Sequence, residues 1–248
     1  MEVFKRHEKK YLITRQQKKK FLEICGEGLR HNKYFKSTVG NVYFDTKNND
    51  LIIKSIEKPE FKEKVRIRSY GKPGDDDYIF FEIKVKRKVA GRKNGYKRRF
   101  ELLLRDYKEY MSGKASLEEI ARRKIEKPND VQVAREIEYL CTHLKLEPKI
   151  YIACDRESYE GTDDENLRIT FDENLKYRLD DLNLDGKKRC KRYFGKSPEE
   201  KNIIMEIKAI NGLPLPMVKA LNECKIYPQP FSKYGKIYEK IMKGERNV

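Results

Sequence analysis

Residues 64–68 read Lys64-Val65-Arg66-Ile67-Arg68, and residues 81–86 read Phe81-Glu82-Ile83-Lys84-Val85-Lys86. In both runs apolar and charged side chains alternate, which is the period of a β-strand with one face on a core and the other face charged. A third run, Lys97-Arg98-Arg99-Phe100-Glu101-Leu102, puts Lys97, Arg99 and Glu101 on one face. The links between the runs are short: Gly71-Lys72-Pro73-Gly74-Asp75-Asp76-Asp77, then Ala90-Gly91-Arg92-Lys93-Asn94-Gly95. Strands over about 62–70, 78–88 and 96–104, joined by such turns, form an antiparallel meander.

The alternation recurs along the chain. Arg168, Thr170 and Asp172 alternate with Ile169 and Phe171, and Glu206 and Lys208 alternate with Met205, Ile207 and Ala209. Further strands are expected over 3–13, 38–45, 149–159, 167–171, 175–180, 188–193 and 202–210. Thr14 is placed to cap a helix that carries Phe21, Leu22 and Cys25 on its apolar face. Residues 49–53 open a short helix, and Ser116-Leu117-Glu118-Glu119 has the form of a capping box. Val131, Ala134, Ile137, Cys141 and Leu144 keep helical spacing, and the end is helical over 216–224 and 232–242. The class is α+β, with about eight antiparallel strands.

A half-buried sheet with a solvated charged face is the commonest source of such alternation. Two features favour something more specific. The charged face is mostly basic, and neighbouring like charges repel unless an anion lies between them. The pattern also recurs in nearly every strand. An eight-stranded antiparallel β-barrel with a charged interior and helices packed outside accounts for both, provided the interior holds water, ions or an anionic ligand. Phe81-Glu82-Ile83-Lys84 is echoed by Met205-Glu206-Ile207-Lys208, as expected of two halves facing one cavity.

Composition bounds the function. The chain has 248 residues, a net charge of +17 and 39% charged residues, so its partners are expected to be polyanions. With 11% aromatic residues and no Gly/Ser linker it reads as one folded domain over 1–248. No apolar run approaches the ~20 residues of a membrane span, and Met1–Lys10 has no apolar signal core. Cys25, Cys141, Cys154, Cys190 and Cys224 show no CxxC spacing, and His7, His31 and His143 show no HxH or HExxH. Free thiols in a cytoplasmic protein are expected, without a zinc site.

In chain order the pieces are Arg6-His7-Glu8-Lys9-Lys10-Tyr11, Tyr43-Phe44-Asp45-Thr46, Lys64-Val65-Arg66-Ile67-Arg68, Phe81-Glu82-Ile83-Lys84 and Tyr96-Lys97-Arg98-Arg99. Asp155-Arg156, Leu167-Arg168-Ile169-Thr170-Phe171-Asp172, Met205-Glu206-Ile207-Lys208 and Phe231-Ser232-Lys233-Tyr234 follow. From about Phe4 to Glu239 this series resembles the VTC domain, the polyphosphate-polymerase branch of the triphosphate tunnel metalloenzymes. The resemblance implies an eight-stranded tunnel that transfers the γ-phosphate of ATP to a growing polyphosphate chain with a divalent metal, Mn²⁺ or Mg²⁺. It implies phosphate contacts from Lys10, Arg66, Arg68, Lys84, Lys97, Arg99, Arg156, Arg168, Lys208 and Lys233, with Arg66, Arg68, Lys84 and Lys97 at the reaction centre and Glu206 on the metal.

The hydrolytic branch of that superfamily begins with an ExExK strand. Here the run is Arg6-x-Glu8-x-Lys10, a base in the first acidic position, which favours the polymerase. Glu8 and Glu82 are the accessory acids that could orient a water in the alternative, a hydrolase of inorganic triphosphate or nucleoside triphosphates. A non-catalytic polyphosphate-binding domain is the other alternative. ATP and polyphosphate are the expected partners, with a separate membrane protein possible. Nucleic acid is not expected, since bases and acids share strand faces and no nucleic-acid motif is present. Tyr11, Tyr43 and Tyr96 are read as wall packing. Lys18-Lys19-Lys20 and Arg122-Arg123-Lys124 are read as solvated helix faces, and Asp75-Asp76-Asp77 as an exposed loop.

Overall fold

The computed structural model describes residues 7–57, 60–89, 92–123, 128–195, 200–210 and 212–245. The start expected for the first strand (with Arg6), the turn at Ala90-Gly91 and Lys124 lie outside the described residues. The elements run β1 (His7–Ile13), α1 (Arg15–Cys25), a 3-10 turn (Gly26–Gly28), β2 (Leu29–Asp45), α2 (Asp50–Ile56), β3 (Phe61–Tyr70), β4 (Tyr78–Val89) and β5 (Arg92–Leu103). Then come α3 (Leu104–Met111), α4 (Leu117–Arg122), α5 (Pro128–His143), β6 (Glu147–Gly161), β7 (Arg168–Arg178), β8 (Lys191–Arg192), β9 (Ile203–Ala209), α6 (Leu215–Glu223) and α7 (Lys233–Glu245). The class is α+β, and the strand order is β1-β9-β7-β6-β2-β3-β4-β5, with β8 paired to β7. No helix among the described residues is long and apolar enough to cross a membrane.

Two compact units are formed, and β2, β6 and β7 run through both. One comprises Met1–Thr38, Ala153–Lys176 and Arg192–Ser232. Its register pairs Tyr11 with Met205 and Ile169 with Ile207, so these side chains share a face. That face packs with Phe21 and Cys25 of α1 and with Met217 and Ala220 of α6 in one buried cluster. Thr14 forms the expected cap on α1: its hydroxyl accepts from the Gln17 amide (3.1 Å) while the Gln17 side chain accepts from the Thr14 amide (3.0 Å). The Gln17 amide group also donates to the Cys224 carbonyl (2.9 Å), which ties α1 to the end of α6.

The other unit comprises Val39–Ile152, Tyr177–Lys191 and Lys233–Val248. It holds the expected meander, with Val65 opposite Ile83 and Phe81 opposite Phe100. Phe81 is fully buried, and its ring meets Phe44, Phe100, Tyr107 and Tyr110 at centroid distances of 5.3–6.5 Å. Burying aromatic faces of this size dominates the local core energy. At Gly95, opposite Lys86, a Cβ would lie 2.6 Å from the Val85 carbonyl oxygen, so the β4–β5 approach requires glycine there.

Four expectations shift. β2 begins at Leu29 rather than near residue 38. Arg92–Gly95, read as turn, is paired strand, with Val89 opposite Arg92. The two strands expected over 167–171 and 175–180 are one, β7, which runs through Asn174 in a left-handed conformation (φ 52°) that asparagine tolerates. The strand expected over 188–193 shrinks to β8. The reason is local: the Asp181 carboxylate accepts from the amides of Lys187 (2.7 Å) and Lys188 (2.9 Å), which a ladder would otherwise need. Arg178 Nε fixes that loop through the Asp181 carbonyl (2.8 Å), with its guanidinium 3.8 Å from the Tyr151 ring centre.

Candidate functional site

The face of β3–β5 opposite the aromatic core is cationic. Cross-strand register aligns Arg66 with Glu82 and Glu82 with Arg99, and likewise Lys64 with Lys84 and Lys84 with Lys97. Glu82 is the organising group, with 1% of its surface accessible. Arg66 Nε and Nη2 each lie 2.7 Å from Glu82 Oε2, Arg68 Nε is 4.0 Å away, and the Lys97 ammonium pairs with Oε1. Burial would raise the Glu82 pKa, yet Arg66, Arg68 and Lys97 hold it at about 2. Burial, reinforced by Arg66 and Arg68, lowers Lys97 to about 8 against the pull of Glu82.

Two neutral groups hold the arginines from β2. Asn41 Oδ1 accepts from Arg68 Nε (2.9 Å), and the Tyr43 hydroxyl accepts from Arg66 Nη1 (3.1 Å). Burial raises the Tyr43 pKa, but Arg66, Lys64 and Arg68 bring it down to about 8. Tyr43 is therefore more than the wall packing expected of it. Its ring lies 5.0 Å from that of Tyr234, whose hydroxyl donates to Asp45 (3.2 Å). Asp45 also accepts from the amides of Leu51 (2.8 Å) and Ile52 (3.0 Å) at the start of α2. These bonds anchor the first turn of α7, where Lys233 stands. Arg99 stacks over Phe80, 4.6 Å from its ring centre.

The other unit carries a second charged face, on β1, β9 and β7. Lys10 stands opposite Glu206 and Glu8 opposite Lys208, while on the other flank of β9 Lys208 faces Arg168 and Glu206 faces Thr170. Lys10 Nζ lies 3.4 Å from Glu206 and 3.9 Å from Glu8, and donates to the Phe231 carbonyl (3.3 Å). Lys208 pairs with the other oxygen of Glu206. Burial raises the Glu206 pKa, and Lys10, Lys208 and Arg156 outweigh it, leaving a carboxylate at about 2. Arg156 forks onto the buried Asp172 at 2.6 and 2.8 Å, a bidentate pair that fixes both planes.

The structure thus gathers Arg66, Arg68, Lys84, Lys97, Arg99 and Glu82 on one face, with Lys233 in the same unit. It gathers Glu8, Lys10, Arg156, Arg168, Glu206 and Lys208 in the other. Asn41, Asp45 and Asp172 were given no role in the sequence reading; the partner of Asn41 follows from cross-strand register, whereas those of Asp45 come from the start of α2 and from Tyr234. Lys18, read as solvated, instead bonds Glu157 (2.8 Å) and Glu173 (2.6 Å). Arg122 and Arg123 pair with Glu118 and Glu109, and Asp75 and Asp76 pair with Lys108 and Arg105 on the surface.

Among the described residues no three His, Cys, Asp or Glu side chains come together as a metal cage. The ionised Glu206 fits the lesser requirement of a Mg²⁺-type ion, which takes one or two carboxylates and completes its shell with waters and substrate phosphates.

The VTC domain profile matches residues 5–242. Vacuolar transporter chaperone complex subunit 4 of Trypanosoma cruzi (strain CL Brener) is 28% identical over 141 residues, 50% of this chain and 17% of that protein. Its Trypanosoma brucei brucei counterpart is 27% identical over 139 residues, covering 50% and 18%. The match therefore spans less than a fifth of the length of these relatives. Among solved structures, Hippeastrum HpAC1, described as an adenylyl cyclase candidate with a dominant triphosphatase activity, superposes with a TM-score of 0.52. The match is 14% identical and covers 94% of this chain and 95% of that one, so the two share a fold.

Proposed function

The chain belongs to the VTC domain family, and from that premise we propose that it is an ATP-dependent polyphosphate polymerase. It transfers the γ-phosphate of ATP to the end of an inorganic polyphosphate chain held on its cationic faces. The observation that carries this reading is the buried Glu82, which pairs with Arg66 and Lys97 and lies 4.0 Å from Arg68, so that three cations are gathered around one carboxylate. Phosphoryl transfer asks for positioning and charge stabilisation more than for covalent work. Cations already fixed in orientation provide both.

Of the five N–H donors on Arg66, three engage Glu82 and Tyr43. The other two are those a phosphate oxygen would take. Lys97 and Lys84 act as point charges beside them. The terminal phosphate of the acceptor is already an anionic nucleophile, so attack on the γ-phosphorus needs no general base. The β–γ bridging bond breaks, a new P–O–P link forms and ADP leaves. Both central carboxylates, Glu82 and Glu206, are ion-paired, which suits this reaction better than activation of a water. Glu206 would hold Mg²⁺ or Mn²⁺, which when bound neutralises charge on phosphate oxygens. The whole chain, both units included, is proposed to act as one domain in the cytoplasm.

The test is incubation with ATP and Mn²⁺ or Mg²⁺, with and without a short phosphate primer, with products sized on a gel. A ladder that lengthens with time, and is lost in Lys97→Ala and Glu206→Ala, supports the polymerase. Orthophosphate alone would replace this reading with a triphosphate hydrolase, and binding without turnover with a polyphosphate receptor.

A further inference from the structure

The cationic face of the meander changes character along its length. On β3 the side chains of that face are, in order, Lys62, Lys64, Arg66, Arg68 and Tyr70. On β4, read in the opposite direction, they are Lys86, Lys84, Glu82, Phe80 and Tyr78. Because Lys62 pairs with Lys86 and Arg68 with Phe80, the two gradients coincide. One end is lysine, the middle is arginine and glutamate, and the far end is aromatic.

The aromatic end is a built surface. Tyr70 and Tyr78 are 47% and 54% exposed. The Tyr70 and Phe80 rings meet edge-on, with centroids 5.9 Å apart and planes at 76°. The Arg99 guanidinium lies 4.6 Å from the Phe80 ring centre, on the same face. Scattered surface aromatics need no explanation. Here Tyr70 and Phe80 adjoin, and Tyr78 is the next residue on the same face of β4, at the margin of the cationic face and together with a guanidinium that is itself a stacking group. Inorganic phosphate has no use for π-faces, whereas a nucleobase does.

We propose that Tyr70, Tyr78 and Phe80, with Arg99, form a stacking subsite for the base of the donor nucleotide. The inference rests on the phosphate-transfer reading above and adds its polarity. The base sits at the aromatic end, the triphosphate lies over Arg68 and Arg66, and the acceptor chain extends towards Lys64 and Lys84. Same-face neighbours on a strand are about 6.6 Å apart, so Tyr70 and Arg66 are separated by about 13 Å. That is the scale of an extended nucleoside triphosphate. Recognition by stacking accepts any purine, because every base offers a π-face and the subsite reads no hydrogen-bond edge.

The experiment is calorimetric titration of the whole chain, with Mg²⁺ present, using a non-hydrolysable ATP analogue and, separately, inorganic tripolyphosphate. Tyr70→Ala and Phe80→Leu are compared with the unaltered protein. Phe80→Leu keeps apolar bulk, and Tyr70 is exposed, so both variants are expected to fold, which thermal melting verifies. Each is expected to bind the ATP analogue about tenfold more weakly and tripolyphosphate unchanged. The GTP analogue is expected to behave like the ATP analogue. Unchanged ATP-analogue affinity, or equal losses for both ligands, overturns the subsite while leaving phosphate binding in place. If the unaltered protein binds neither ligand, the phosphate-transfer reading fails and the subsite fails with it.

Discussion

Arg66 and Glu82 stand directly opposite each other on adjacent strands, and the guanidinium reaches one carboxylate oxygen from two nitrogens, each at 2.7 Å. Glu82 is thereby the fixed point from which the cationic face is arranged. Removing it would leave Arg66 and Lys97 partly buried and uncompensated. Glu82→Ala is expected to cost about 3–5 kcal/mol in urea unfolding. Glu82→Gln is expected to cost less but still to loosen tripolyphosphate binding, because an amide cannot hold two cations.

The same carboxylate sets an acid limit. Glu82 and Glu206 are both held at about 2, below the ~4.3 of an unfolded glutamate. A depressed carboxylate contributes stability that is complete above the unfolded value and is lost as pH falls through the folded one. Urea midpoints are therefore expected to be flat between pH 7 and 5 with respect to these groups, and to fall below about pH 4.3. Glu206→Gln should flatten the acid limb. An unchanged acid limb in both the Glu82→Gln and Glu206→Gln variants would show that these pairs do not stabilise the fold.

At the alkaline side, Lys97 and Tyr43 both give up a proton at about 8. Lys97 loses a positive charge and Tyr43 gains a negative one, so each step makes the same face one charge less cationic. Tripolyphosphate affinity is expected to weaken as pH rises from 7 to 9. Lys97→Arg combined with Tyr43→Phe removes both titrations and should give a flatter profile by calorimetry. A profile identical to that of the parent protein would contradict the assignment.

Both oxygens of Glu206 are already paired, one with Lys10 and the other with Lys208, so a free divalent ion must compete with two ammonium groups there. Mn²⁺ alone is expected to bind weakly, and Mn²⁺ with tripolyphosphate tightly, as read by the paramagnetic signal of the free ion. Glu206→Gln should lower uptake of the ion–phosphate complex about tenfold or more. Tight binding of Mn²⁺ without phosphate would refute this order.

Asp45 is fully buried, accepts from the start of α2 and from Tyr234, and sets the first turn of α7 that carries Lys233. Tyr234→Phe removes one of those bonds and should cost about 1 kcal/mol. Asp45→Ala leaves several donors unmet and should cost about 3 kcal/mol or more. If Lys233 contacts phosphate, Tyr234→Phe should also weaken tripolyphosphate binding, which Lys233→Ala would reproduce without the loss of stability.

Alternation at 64–68, 81–86 and 97–102 sufficed to read the meander, because a one-residue slip would put Phe81 and Ile83 on the charged face. The caps at Thr14 and Ser116 were legible because both partners lie within three residues. The ion pairs were not. Arg156 meets Asp172 and Lys18 meets Glu173 across 16 and 155 residues, through strand register and helix packing that no local pattern encodes. Tyr43 was read as packing for the same reason, since its link to Arg66 crosses from one strand to the next. The gap expected between 171 and 175 is absent: β7 continues through Asn174, whose backbone is left-handed.

The acids embedded in these faces act as internal counterions. Glu82, Glu206 and Asp172 each neutralise bases that would otherwise gather small anions from solution. A phosphate chain arriving at such a surface displaces fewer of those anions than the number of lysines and arginines it touches. Its hold on the protein should therefore weaken with added salt less steeply than that number implies.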